Sequence, residues 1–169
     1  PGLNASVLQS AARGLDGDYK KAVRISFYFS LLGIPILLII GACYYFYHHA
    51  ILGIAFMAAA IFFPFFYAPN TWDSFLQGKS RFRIAFGYAS TQAILNTIFT
   101  IGVISLSRGG LLFIILGYLI SYTFFNVLFY FKSLRYVEND EKGDAIHYGW
   151  FLTKINVLSL VADNLDKVI

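Results

Sequence analysis

Residues 25–47 read ISFYFSLLGIPILLIIGACYYFY, a run without one charged side chain. At about 1.5 Å per helical residue it is long enough to cross a hydrocarbon core of about 30 Å. Pro35 sits inside it. In lipid this predicts a kink rather than a break, because neighbouring helices can satisfy the freed carbonyl. Tyr44, Tyr45 and Tyr47 form an aromatic belt at its end, the position where amphipathic rings meet a membrane–water interface.

Three more apolar segments follow, over about 50–68, 84–106 and 111–131. The whole chain is 58% hydrophobic, 19% aromatic and 13% charged, with a mean hydropathy of +0.64. A soluble domain carries about 25% charge, so the chain belongs to the membrane class. The expected fold is an all-α polytopic bundle: four complete transmembrane helices plus the start of a fifth. The pI near 9.2 reflects topology anchors, and no nucleic-acid partner is expected. Cys43 is the single cysteine, which excludes an internal disulfide and a Cys-rich metal site.

The polar pieces organise the bundle. Residues 3–12 are expected to form the tail of a helix, stopped at Gly14, with Asp16-Gly17 as a turn and Asp18 as an N-cap. His48-His49 reads as an interfacial turn, and residues 70–83 as a loop. Ala55 and Ala59 stand four apart and allow a close helix approach. Ala85, Ala89, Ala93 and Thr97 form a small-residue ladder, expected to be a packing seam. Gln92, Asn96 and Thr100 make a second stripe on the same segment. It is either a row of interhelical hydrogen bonds or the wall of a cavity. Tyr118, Tyr122, Asn126 and Tyr130 recur every fourth residue on the next segment. They would either stack on sugar rings or pack in the bundle with their hydroxyls satisfied.

Residues 132–147, KSLRYVENDEKGDAIH, are a charged linker. Its acids lack the spacing of a calcium loop and read as a solvated connection between two units, 1–131 and 148–169. The closing stretch, YGWFLTKINVLSLVADNLDKVI, resembles a membrane helix yet carries Lys154, Asn156, Asp163, Asp166 and Lys167. Charge at membrane depth is expensive and usually faces a bundle interior or a wet cavity. Asp163 and Lys167, four apart, are equally able to form an internal pair. With no initiator Met and an apparent helix running to Ile169, the chain is expected to be an internal piece of a larger membrane protein.

Loop charge orients the segments. Arg13, Lys20, Lys21 and Arg24 precede the first segment, Lys79, Arg81 and Arg83 lie between the second and third, and Lys132, Arg135 and Lys142 follow the fourth. On the other side stands only Arg108. The positive-inside rule therefore places residues 1–24, 69–83 and 132–147 in the cytoplasm. No GxxxxGK[ST], HExxH or GxSxG is present, and no enzyme activity is expected. A transport pathway needs none of these; it needs a wet cavity, a few charges and helices able to rock.

Four stretches carry a family resemblance. They are QSAARGLDGDYKKAV (9–23), TWDSFLQGKSRFRIAFGYAS (71–90), LGYLISYTFFNVLFYFKSLRYV (116–137) and ADNLDKVI (162–169), where Asp166 stands in a D-x-x-hydrophobic context. In this order the chain resembles the oligosaccharide flippases of bacterial polysaccharide biosynthesis, of O-antigen transporter type. These belong to the multidrug/oligosaccharidyl-lipid/polysaccharide exporter superfamily. The resemblance covers what would be helices three to six and part of seven of a bundle of twelve or more in two pseudo-symmetric halves. The linker would join the halves.

The implied task is to move undecaprenyl-pyrophosphate-linked oligosaccharide across the bacterial inner membrane by alternating access. A polysaccharide polymerase and glycosyltransferases are the implied partners. On this reading Lys154 attracts the pyrophosphate, and Asp163 or Asp166 couples to a proton or sodium ion or hydrogen-bonds sugars. No cofactor is implied. A drug exporter of the same superfamily and a polytopic glycan polymerase are the alternatives.

Overall fold

In lipid a backbone can satisfy its own N–H and C=O groups only within a helix or a closed barrel, so each long apolar segment is driven to helix. The computed structural model describes residues 2–107, 110–141, 143 and 147–155, and no strand occurs among them. Seven α-helices can be named: α1 (Gly2–Ala12), α2 (Gly17–Leu31), α3 (Gly33–Phe46), α4 (Ala50–Tyr67), α5 (Trp72–Gly78), α6 (Phe82–Leu106) and α7 (Leu111–Ser133). Residues 147–155 are also helical. Four spans, Gly17–Phe46, Ala50–Gly78, Phe82–Leu106 and Leu111–Tyr136, are long and apolar enough to cross a membrane. Ile36, Ile39, Ile61, Phe86, Ile98, Ile101 and Phe113 are among the many large apolar side chains left exposed. Water-facing monomers do not carry an apolar surface of this extent; lipid-facing bundles do. The protein is an all-α polytopic membrane bundle.

The first span begins at Gly17, earlier than the apolar run at Ile25, and its α-helix is interrupted at Leu32, between α2 and α3. Pro35 is the cause. It has no N–H to offer the Leu31 carbonyl, and the Leu32 N–H turns instead to Phe29 O at 3.1 Å. Leu32 stays in the right-handed region (φ −67°, ψ −22°), so the helix is interrupted for one residue and continues rather than breaking. α3 then crosses α4 at two glycines. A Cβ on Gly53 would lie 2.8 Å from Gly41 O, so backbone meets backbone there, one turn's reach from the buried Ala55.

Residues 70–83 are not a loop. Pro69–Thr71 make a 3-10 turn and α5 follows directly. Trp72, Phe75 and Leu76 are at most 2% exposed. A positive and polar sequence hides this three-residue apolar group, which is too short to show a helical period. α5 lies under α1, with Gly78 against Leu8 and Ala11. A Cβ there would meet Ala11 Cβ at 2.7 Å.

Three helix ends close in the same way. Gly14 (φ +80°), His48 (φ +65°) and Ser80 (φ +57°) are left-handed. Each is followed by a bond spanning five residues: Leu15 N–H to Ser10 O at 2.9 Å, His49 to Tyr44 at 3.0 Å and Arg81 to Leu76 at 2.9 Å. This is the Schellman closure. Gly14 adopts it without a Cβ penalty, whereas His48 and Ser80 carry one.

Among the described residues the small-residue ladder does not form the expected seam. Ala85 is buried, but Ala89, Ala93 and Thr97 face outward, while Gln92 and Asn96 are buried. The polar stripe takes the α7-facing side of α6 because a lone amide in hydrocarbon is penalised more heavily than a missed alanine contact.

The best-packed part of the molecule is its basic end. Val7 and Ala11 of α1, Tyr19 and Ala22 of α2, Trp72, Phe75 and Leu76 of α5 and Phe129 of α7 form one core. Tyr19 stacks on Phe75 with centroids 4.2 Å apart, and its hydroxyl shares a 2.7 Å hydrogen bond with Ser133 Oγ.

Candidate functional site

Two polar constructions stand out, one within the bundle and one at its basic end. The first is centred on Asn126 of α7, which is wholly buried. It lies seven residues from the end of α7, about 10 Å along the helix. Its Oδ1 accepts from Gln92 Nε2 of α6 at 3.0 Å and from Trp72 Nε1 at 3.4 Å. Its Nδ2 donates to Phe66 O of α4 at 3.0 Å. The last carbonyls of a helix have no intrahelical donor, and α4 ends at Tyr67. Asn126 therefore ties α4, α5, α6 and α7 together while satisfying one of those carbonyls.

The rest of the α7 stripe divides among neighbours. Tyr122 stacks on Phe66 at 4.7 Å, and Tyr118 leans on Tyr122 at 5.7 Å. Tyr130 meets Tyr19 edge-on at 5.7 Å. Tyr118 alone of these is 41% exposed. On α6, Gln92 is engaged, and Asn96 is buried with its Oδ1 unpartnered among the described residues. Ser121 and Thr123 of α7 are likewise buried with unpartnered hydroxyls. Such atoms seek water or a ligand's polar group.

Replacing Asn126 by Leu strips one partner from each of three groups. At about 0.6 kcal/mol per interhelical bond the expected loss is about 2 kcal/mol, against about 0.6 kcal/mol for Gln92→Leu. Denaturant titration in mixed micelles measures both. Equal losses would show that Asn126 is no hub.

The second construction joins three segments distant in sequence. Asp16 is fully buried and its Oδ2 lies 3.0 Å from Lys79 Nζ. The same oxygen accepts the Glu138 N–H at 2.8 Å. Lys79 also reaches Glu138 Oε2 at 3.1 Å. Asn139 closes the clamp, donating to Gly14 O at 2.7 Å and accepting from Asp16 N–H at 3.2 Å. Gly17 N–H donates to Glu141 O at 2.9 Å. Asp18 is buried too. It accepts from Ser10 Oγ at 3.1 Å and from Gly143 N–H at 3.0 Å.

Asp18 is thus not the N-cap the sequence suggests. Asp16 holds the cap position without a side-chain cap bond, and both carboxylates grip the linker instead. The linker is correspondingly less solvated than its composition implies. Burial works to lower the Lys79 pKa, but hydrogen bonds and charge from Asp16 and Glu138 outweigh it and hold the ammonium above its ordinary 10.5.

Lys154 is exposed on the helix 147–155. That helix rests on α1 and α2: Trp150 meets Phe29 edge-on at 5.1 Å, and a Cβ on Gly149 would fall 2.8 Å from Ser6 Oγ. Asn156, Asp163, Asp166 and Lys167 lie outside the described residues. Of the ten sequence candidates the structure brings Gln92 and Asn126 into contact, with Tyr118 and Tyr122 alongside. It adds Asp16, Asp18, Lys79 and Asn139, which sequence reasoning read as a turn, a cap, a topology charge and part of a solvated linker. Their one signal was the pair of aspartates around Gly17 in a chain so poor in charge.

Comparison with protein families, curated proteins and solved structures finds no match to this chain.

Proposed function

We propose that this chain is part of a bacterial inner-membrane transporter that moves lipid-linked oligosaccharide between leaflets by alternating access. One observation carries the reading beyond the sequence resemblance. Three of the four stretches that bear the resemblance, 9–23, 71–90 and 116–137, meet in space. Tyr19 of the first stacks on Phe75 of the second and bonds Ser133 of the third. The same residues are therefore used as one unit, the base of the bundle and the grip on the linker.

In this mechanism the basic end is cytoplasmic and α2 to α7 form a stiff block. Backbone contact at Gly41 and Gly53 and the Asn126 hub keep its helices from sliding. Rocking then occurs between this block and whatever follows the clamped linker. Lys154 and the segment 156–169 would supply polar groups to the pathway, with a proton or sodium ion as the coupling ion. Undecaprenyl-pyrophosphate glycan is the proposed substrate, and the enzymes that build and polymerise it are the proposed partners.

The test uses a strain lacking its own oligosaccharide flippase. Expression of the gene carrying this chain is expected to restore surface polysaccharide, and Asp166→Asn to abolish the restoration at equal membrane abundance. A well-expressed wild type that restores nothing with several donor glycans, yet raises resistance to small cationic drugs, would overturn the reading in favour of an exporter.

A further inference from the structure

Two cavities at the basic end share a wall and differ in character. One, of about 500 Å³, is bounded by Gly17, Lys20, Lys21, Arg24 and Asp140. The other, of about 580 Å³, lies between α2, α4 and α7. Lys20 and Arg24 belong to both; below them the second is lined by Phe27, Phe65, Val127 and Phe131. Four residues apart on α2, Lys20 and Arg24 share one helix face and stand where the two spaces join. Phe65 and Phe131 are 48% and 61% exposed, so the lower groove opens sideways, toward the surface that lipid covers. Lys20, Lys21 and Arg24 are all exposed at the level of the basic end.

A cluster of cations directly above an apolar trough has the polarity of one amphiphile. Long basic side chains lay their stems along apolar surface and keep the charge at the interface. Basic pockets between transmembrane helices at this level suit anionic headgroups. We infer that Lys20, Lys21 and Arg24 bind the phosphate of an anionic phospholipid whose acyl chains lie in the groove between α2, α4 and α7. Charge complementarity selects the headgroup, and the apolar trough selects a lipid over a soluble anion.

Asp140 is the built-in competitor. Its Oδ1 lies 3.3 Å from Lys20 Nζ, with both side chains at least half exposed (51% and 82%). An arriving phosphate takes Lys20 from Asp140 and removes one of the ties between α2 and the linker. The buried contacts of Asp16 and Asp18 remain. Anionic lipid thereby loosens the linker by one step. The inference does not depend on what the protein transports.

The experiment titrates the purified full-length protein with phosphatidylglycerol and with phosphatidylcholine, counting bound lipid by native mass spectrometry. Phosphatidylglycerol is expected to be retained in preference. Lys20→Gln and Arg24→Gln are each expected to weaken it about fivefold, as for one charge at an anionic surface, leaving phosphatidylcholine unchanged. Asp140→Asn is expected to tighten it. Equal retention of the two lipids would overturn the inference, as would full phosphatidylglycerol affinity in the Lys20→Gln, Arg24→Gln double variant. Displacement of the lipid by equimolar inorganic pyrophosphate would reassign the cations to a soluble anion. If the double variant fails to fold, Asp140→Asn decides alone: it keeps all three cations, and unchanged or weaker binding sinks the proposal.

Discussion

Lys79→Met is expected to destabilise the protein by about 3–5 kcal/mol, the range for removing one partner of a buried ion pair. Asp16 has no exposed surface and no other cation within ion-pair reach among the described residues. Without Lys79 its charge keeps, among the described residues, only the Glu138 N–H at 2.8 Å. Adding Asp16→Asn to Lys79→Met is expected to recover much of the loss, because the amide is neutral and can still accept that bond. Glu138→Gln is expected to matter far less, within about 1 kcal/mol, since Glu138 is two-thirds exposed (66%) and exposed pairs contribute little. Thermal unfolding in lipid nanodiscs measures the series, and a double variant no better than Lys79→Met would remove the pair from the account.

The pair also predicts a pH dependence. Lys79 has a folded pKa raised above 10.5. The stability it contributes is therefore fully present below about pH 10.5 and is lost as pH rises through the folded value. The wild type should lose stability on that alkaline side, and the Lys79→Met variant should lack this component.

Phe75→Ala is expected to be comparably severe, about 3–5 kcal/mol, as for a large aromatic removed from a closed core. Phe75 has no exposed surface. It stacks on Tyr19 at 4.2 Å with an interplanar angle of 6°, and α1 covers the helix that carries it. Loss of its ring leaves a hole under α1, α2 and α7 together. Tyr19→Phe provides the comparison. It keeps the stack, deletes the 2.7 Å hydroxyl bond to Ser133, and is expected to lose about 1 kcal/mol. If the two variants unfold at the same temperature, the stack contributes nothing beyond that bond. Hydrogen exchange in α5 should rise in Phe75→Ala well before the Asn126 region responds, because Asn126 bonds to α5 through Trp72 and not through Phe75.

Of the intramembrane site, the stripes Gln92–Asn96 and Tyr118–Tyr122–Asn126 were visible as four-residue periods. Periodicity says which side chains share a face; it does not say what that face meets. The same rule proposed Ala89, Ala93 and Thr97 as a seam, and they point outward. Choosing between the faces takes the partner helix. Here Gln92 donates a hydrogen bond to Asn126 Oδ1 of α7, which no alanine could make. Trp72 belongs to the hub because α5 folds under the bundle, and nothing local in 69–83 announces that.

The primary structure alone dictates the number of spans and their helical state. Hydrocarbon of about 30 Å demands an uninterrupted apolar run, and an isolated backbone in lipid has one way to satisfy itself. Pro35 and Gly14 act the same way, through local stereochemistry, so the interruption of the first span and the first helix stop are legible from composition and position. The burial of α5, the two aspartates turned from turn residues into a clamp, and the pairing of Lys79 with Asp16 are of another kind. They join positions 16, 79 and 138, and the free energy of a buried charge depends on which partner arrives and how dry the site is. Those quantities exist only once α1, α2, α5 and the linker have come together.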